Sequence, residues 1–126
     1  IANWITFEHT SDIGVRFSVS QHTTTTEEDV EKLWWHSPVK YADKVTTPTL
    51  FIHSDADYRC YMVEGLAMLT ALKMHGVPSK MALFHNESHE LSRSGKPKNR
   101  IQRMEEIVKW YNTYLKEENE YETGCD

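Results

Sequence analysis

Two short stretches of the chain hold the residue types that could do chemistry. The first, "HSDADYRC", runs from His53 to Cys60 and carries two aspartates, a histidine, an arginine and a cysteine. The second, "FHNESHELSRSGKP", runs from Phe84 to Pro97 and places His85 and His89 between a short apolar run and a loop of small, polar and basic residues. His89 could be a catalytic base, a metal ligand or a plain loop residue. An aspartate of the first stretch that accepts a hydrogen bond from a histidine of the second would form the orienting half of a Ser-His-Asp triad. A metal site is the competing reading, since His85 and His89 are four apart with Glu87 between them. Zinc sites of the H-E-x-x-H type need both histidines on one helical face, with the glutamate directly after the first. "HNESH" sits at a strand exit and misplaces its glutamate, so no metal is expected.

The elements that must position these residues follow from periodicity. Thr47 to His53, "TPTLFIH", is almost wholly apolar with a proline at its entry, the pattern of a buried parallel strand. Met62 to His75 has apolar residues at helical spacing, among them Leu66, Leu69 and Leu72, and Gly76 stands as a C-terminal cap before Pro78. Lys80 to His85 reads as a second strand. Pro97 to Leu115 reads as a long amphipathic helix with Ile101, Met104, Ile107, Val108 and Tyr111 on one side. Upstream, N-cap types followed by Glu27, Glu28 and Asp29 predict a helix from Thr26 to Trp35, stopped before Pro38. Of Trp34 and Trp35, one is expected to face inward and one to be partly exposed.

Strand, helix, strand, helix in succession implies neighbouring parallel strands with a right-handed crossover, and hence an α/β class. The two chemical stretches then follow the two strands, where functional groups of open α/β sheets gather. Two strands are few for such a fold. Parallel sheets are normally covered on both faces and have several strands, so the sheet is expected to be incomplete and the chain to be a segment of a larger domain.

Composition narrows the function classes. The 126 residues are 39% hydrophobic and 26% charged, as in an ordinary globular protein. A formal charge of −5 argues against nucleic-acid binding, which is carried by clustered Lys and Arg. The basic stretch Arg93 to Arg103 is short and reads as a solvated loop and helix start. No run approaches the roughly 18 apolar residues of a membrane span, and the first residues lack a basic segment leading into an apolar core. Cys60 and Cys125 make no disulfide framework, and a reducing cytoplasm fits best. The polar tail 117–126 is expected to be disordered.

α/β-Hydrolases carry their triad in the order Ser, acid, His, with the serine on a G-x-S-x-G elbow. Acid and base stand in that order here, and no glycine of the chain forms the elbow. With these residues in place, the stretch from "SPVKYADKVTTPTLFIHSDADYRC" through "HNESHELSRSGKPKNRIQRMEEIVKWYNTYL" resembles the C-terminal end of the catalytic domain of prolyl oligopeptidase family serine peptidases, most of all the acylaminoacyl peptidase group. "NWITFEHTSDIG" resembles the segment after the nucleophile helix and its next strand.

The resemblance spans residues 3–115 and implies the C-terminal part of an α/β-hydrolase fold. By position, Asp57 matches the triad acid and His89 the general base, while Asp55 matches a variable acidic position. The nucleophilic serine and the oxyanion-hole donors would lie upstream of Ile1, as would the family's β-propeller. Ser54 replaces a usual Gly, and Tyr61, Val63 and Glu64 stand where the family has Pro followed by a Glu-Gln pair. The implied function is hydrolysis of short or acylaminoacyl peptides without a cofactor, with this segment inactive by itself. A non-catalytic α/β interaction module and a fragment of a related esterase are the alternatives. His53, at the end of an apolar strand, is read as a satisfied core or near-surface histidine without a role, Cys60 as a small buried filler, and Arg59 as meeting either a substrate carbonyl or carboxylate or an ion-pair partner, Asp55 or Glu87. An unpaired edge on Thr47 to His53 would favour a homo-oligomer.

Overall fold

A computed structural model describes residues 1–116, so the tail 117–126, with Cys125 and the disorder expected of it, lies outside the described residues. The elements are α1 (Trp4–Thr10), α2 (Gly14–His22), α3 (Thr26–Trp35), a 3-10 segment (Pro38–Lys44), β1 (Thr49–Ser54), α4 (Val63–Met74), β2 (Ser79–Phe84), α5 (Leu91–Ser94) and α6 (Pro97–Tyr114).

β1 and β2 pair in parallel, with Thr49 opposite Ser79 and Ser54 opposite Phe84. α4 is the crossover between them, and Gly76 ends it with φ +74°, a conformation that only glycine adopts at no steric cost. Leu72 of α4 packs with Ala42 and Val77, all three buried, and Val45, Phe51, Met68 and Ala71 surround them. This small core holds the crossover onto one face of the sheet.

A second apolar nucleus joins the first three helices. Asn3 caps α1 by accepting from the amides of Ile5 and Thr6, and Thr25 and Glu28 form a reciprocal capping box on α3. Phe7 and Leu33 are fully buried there, and the Phe7 ring lies 5.7 Å from that of Phe17. Glu8 is buried beside them. Burial alone would raise its pKa, but the hydrogen bond from the Thr26 amide, at 2.8 Å, and the nearby Thr26 and Ser18 side chains outweigh that cost and hold the carboxyl below its ordinary value.

Three sequence expectations are corrected. Trp34 and Trp35 are both exposed, stacked near the Lys40 ammonium at 5.6 and 6.0 Å, so neither serves as an inward packing residue. α1, α2 and α5 were not anticipated. Most of the apolar stripe of α6 is not a core face either, for Ile101, Met104, Val108 and Tyr111 are all more than half exposed and Ile107 is partly buried. Two strands about 5 Å apart are too narrow to cover a helix about 10–12 Å across.

Among the described residues β1 pairs only with β2. The bonds from Thr49 N to Pro78 O and from Asp55 N to Phe84 O show that odd-numbered residues of β1 face β2. The backbone groups of Leu50 and Ile52 therefore face the open side.

Truncating Leu72 to Ala should cost about 2–5 kcal/mol, because the side chain is fully buried in a small core that cannot collapse around the cavity. Urea unfolding measures this, and a loss below about 1 kcal/mol would show that α4 is not anchored there.

Candidate active site

The ladder between β1 and β2 continues beyond the strands and carries both chemical loops with it. Asp55 N donates to Phe84 O at 3.1 Å, and Ala56 N donates to Glu87 O at 3.1 Å. Immediately after β2 the chain turns at Asn86, whose φ of 55° is a left-handed conformation that asparagine tolerates better than most residues. That turn directs residues 87–90 back toward the acid loop.

Asp57 and His89 meet across the two loops. Asp57 Oδ2 lies 2.9 Å from His89 Nδ1, and Asp57 Oδ1 accepts from the backbone amides of Arg59 at 3.0 Å and Cys60 at 2.8 Å. The acid is buried and the His89 side chain is 44% exposed. A carboxylate can only accept, so Nδ1 carries the proton and Nε2 is left as an acceptor. This is the tautomer a general base requires.

Asp55 makes a second, exposed pair. Its carboxylate contacts His85 Nδ1 and accepts from Asn86 N at 2.7 Å. The hydrogen bond with His85 holds the Asp55 carboxyl below its usual pKa, aided by the Asn86 amide. Asp55, at the variable acidic position, lies in the turn after β1 and bridges from there to the strand exit of β2. His85 and His89 thus take different aspartates. No group of three or more His, Cys, Asp or Glu side chains with metal-site geometry occurs among the described residues.

Arg59 corrects the expected pairing. It binds Asp12, in the turn between α1 and α2, through Nε at 2.7 Å and Nη2 at 3.2 Å. Asp55 is occupied by His85 and Asn86, and Glu87 is occupied by Lys96 N and Asn99 Nδ2 at 3.1 and 2.6 Å. Bidentate pairing with Arg59 lowers the Asp12 pKa. Asp12 N also donates to Tyr58 O at 3.0 Å, so the N-terminal helices brace the acid loop from outside.

Sequence reasoning missed this brace, and it missed Glu64. The buried Glu64 carboxylate accepts the amides of Ala2 at 2.6 Å and Asn3 at 2.7 Å, tying α4 to the start of α1. Its residue type at the start of a helix was visible, but partners more than 60 positions away were not. His53 Nε2 lies 2.7 Å from Cys60 O, which is the satisfied strand-end histidine expected.

Parallel strands joined by a crossover helix, with an aspartate and a histidine paired on the loops beyond their C-terminal ends, define this as part of an α/β-hydrolase fold. The chain superposes over its whole length on acylaminoacyl peptidase of Pyrococcus horikoshii, with TM-score 0.87 and 33% identity, and covers 20% of that protein. The chain belongs to the prolyl oligopeptidase family, whose model matches residues 1–118. It is 44% identical over 115 residues to the uncharacterized peptidase YuxL of Bacillus subtilis, covering 91% of this chain and 18% of that protein. It is also 32% identical over 117 residues to the acylamino-acid-releasing enzyme of Arabidopsis thaliana, covering 92% of this chain and 14% of that enzyme. The chain therefore spans a fifth or less of the length of these relatives.

Cys60 provides a check on the loop itself. Burial pushes its thiol pKa up, and the Asp57 and Glu64 carboxylates add to that. A raised pKa means less thiolate at a given pH, so iodoacetamide at pH 8 should modify Cys60 more slowly in the folded chain than in urea. Equal rates, read by mass spectrometry of the Cys60 peptide, would show that the acid loop is open.

Proposed function

We propose that the protein containing this segment is a serine peptidase that hydrolyses short peptides or acylaminoacyl peptides through an acyl-enzyme intermediate. The observation that carries the reading is the 2.9 Å contact between His89 Nδ1 and a buried Asp57 whose other oxygen is fixed by two amides. His89 Nε2 takes the proton of a serine hydroxyl supplied from outside this segment, and later returns it to the leaving amine. Asp57 holds the imidazole in the required tautomer and stabilises its charged form. The likeness to an acylaminoacyl peptidase and to an acylamino-acid-releasing enzyme supports the substrate class.

The open side of β1 supports a separate proposal about the isolated segment. Among the described residues no strand pairs with the backbone groups that Leu50 and Ile52 direct outward along this apolar strand, so two copies should pair this edge about a two-fold axis.

In the complete protein, Asp57→Asn should lower kcat on acylaminoacyl anilides about 10⁴-fold, since an amide favours the wrong tautomer. His89→Ala should do the same or more, and the isolated segment should show no turnover. Retained activity in either variant would remove this pair from the reaction. Light scattering tests the edge: the mass of the isolated segment should rise toward a dimer with concentration, and a constant monomer mass would refute edge pairing.

A further inference from the structure

A second histidine stands directly behind the Asp57–His89 pair. His53 is the penultimate residue of β1, and its side chain is only 12% exposed. Its Nε2 lies 2.7 Å from the carbonyl oxygen of Cys60 and 3.8 Å from Asp57 Oδ2. The first distance is a hydrogen bond and the second is too long for one. A carbonyl only accepts, so Nε2 carries the proton and donates to Cys60. His53 therefore does not compete with His89 for the carboxylate.

Cys60 is held at both ends of its backbone. Its carbonyl receives His53, and its amide donates to Asp57 Oδ1 at 2.8 Å beside the amide of Arg59 at 3.0 Å. Four residues from the acid, the imidazole thus closes the acid loop onto the strand that launches it. With Oδ1 captured by two amides, the carboxylate plane is set and Oδ2 is the oxygen offered to His89.

The fold makes room for this ring. A Cβ on Gly65 would lie 2.7 Å from His53 Nδ1 and 2.8 Å from the Met81 methyl, so a side chain there would displace one of them. Cys60, Glu64 and Gly65 line one small cavity with His53, and the charged or titratable groups facing the ring are Asp57 and Cys60 of the loop and Glu64 of α4.

We propose that His53 is a positioning residue for the reaction: by holding the Cys60 carbonyl it fixes the amides that orient Asp57, and through Asp57 it orients His89. The inference rests on the serine-peptidase reading above. His53 touches no reacting atom.

The test uses the complete protein with His53→Leu, His53→Gln and Gly65→Ala, each checked for folding by circular dichroism. Glutamine keeps an N–H donor at similar reach and leucine does not. His53→Leu should lower kcat on an acylaminoacyl anilide roughly 10- to 100-fold through misorientation of the pair. KM should stay within about twofold, because no substrate contact is lost. His53→Gln should restore most of kcat, and Gly65→Ala should fall between them by displacing the ring.

The downfield proton resonance of His89 Nδ1 gives a readout independent of turnover. It should broaden or vanish in His53→Leu and return in His53→Gln. An unchanged kcat and proton signal in His53→Leu would overturn the proposal, as would a glutamine variant no better than leucine, which would make the ring a filler. If leucine prevents folding, Gly65→Ala decides by the same two readouts. A wild-type protein that hydrolyses no such substrate, or is indifferent to Asp57→Asn, would refute the peptidase reading, while the proton signal would still decide whether His53 positions the pair.

Discussion

The parallel register of β1 and β2 is the constraint on which the rest of the site depends. Ser54 opposite Phe84 brings the two strands to their ends together, and the ladder then runs on through Asp55 N to Phe84 O and Ala56 N to Glu87 O. A shift of one residue would turn every side chain of a strand to the opposite face. Asp57 would then leave the side on which His89 arrives. The small core of Leu72, Ala42 and Val77 fixes the crossover helix, and through it the spacing of strands that lie 25 residues apart in sequence from the end of one to the start of the next.

Two Asp–His pairs occupy these loops, and burial separates their roles. Asp55 and His85 contact each other where the histidine is 82% exposed, so water competes for every group and the pair is loosely oriented. Asp57 is buried and accepts from two amides and one imidazole, so three of its roughly four acceptor positions are taken and its plane is fixed. A buried carboxylate without those partners would be costly, whereas with them it becomes rigid. The same residue types at nearly the same spacing therefore yield a surface clasp in one case and a buried, fixed carboxylate in the other.

Much of this was legible in the sequence. The apolar runs at Thr47 to His53 and Lys80 to His85, and the helical spacing between them, gave both strands, the crossover and the adjacency of the loops to within two residues at each end. Asp57 and His89 were separable from Asp55 and His85 only by resemblance, because local pattern carries no information about which carboxylate is buried. Arg59 illustrates the limit. Its neighbours in sequence offered Asp55 and Glu87 as partners, but both were already satisfied, and the free carboxylate was Asp12 in a helical hairpin with no strong periodicity. The stripe Ile101, Met104, Val108 and Tyr111 was visible as a stripe. What it would face was not, since that depends on how wide a sheet lies beneath it.

Glu87 shows how the loop of His89 is held beside that of Asp57. Its backbone oxygen accepts from Ala56 in the acid loop, while its buried side chain accepts from Lys96 N and from Asn99 in the first turn of α6. One residue, two before His89, thus ties the base loop sideways to the acid loop and downward to the longest helix. Gly95 permits the downward link, since a Cβ there would meet Leu91 O at 2.5 Å and Glu87 Oε2 at 3.0 Å. Proton transfer needs heavy atoms within hydrogen-bond reach at the moment of reaction, and displacements of about 1 Å are costly. A half-exposed imidazole on a free loop would sample far more than that. Held through Glu87 in its loop and by Asp57 at its ring, His89 keeps a side chain that is 44% exposed, which on the proposed reading leaves it accessible to an incoming hydroxyl.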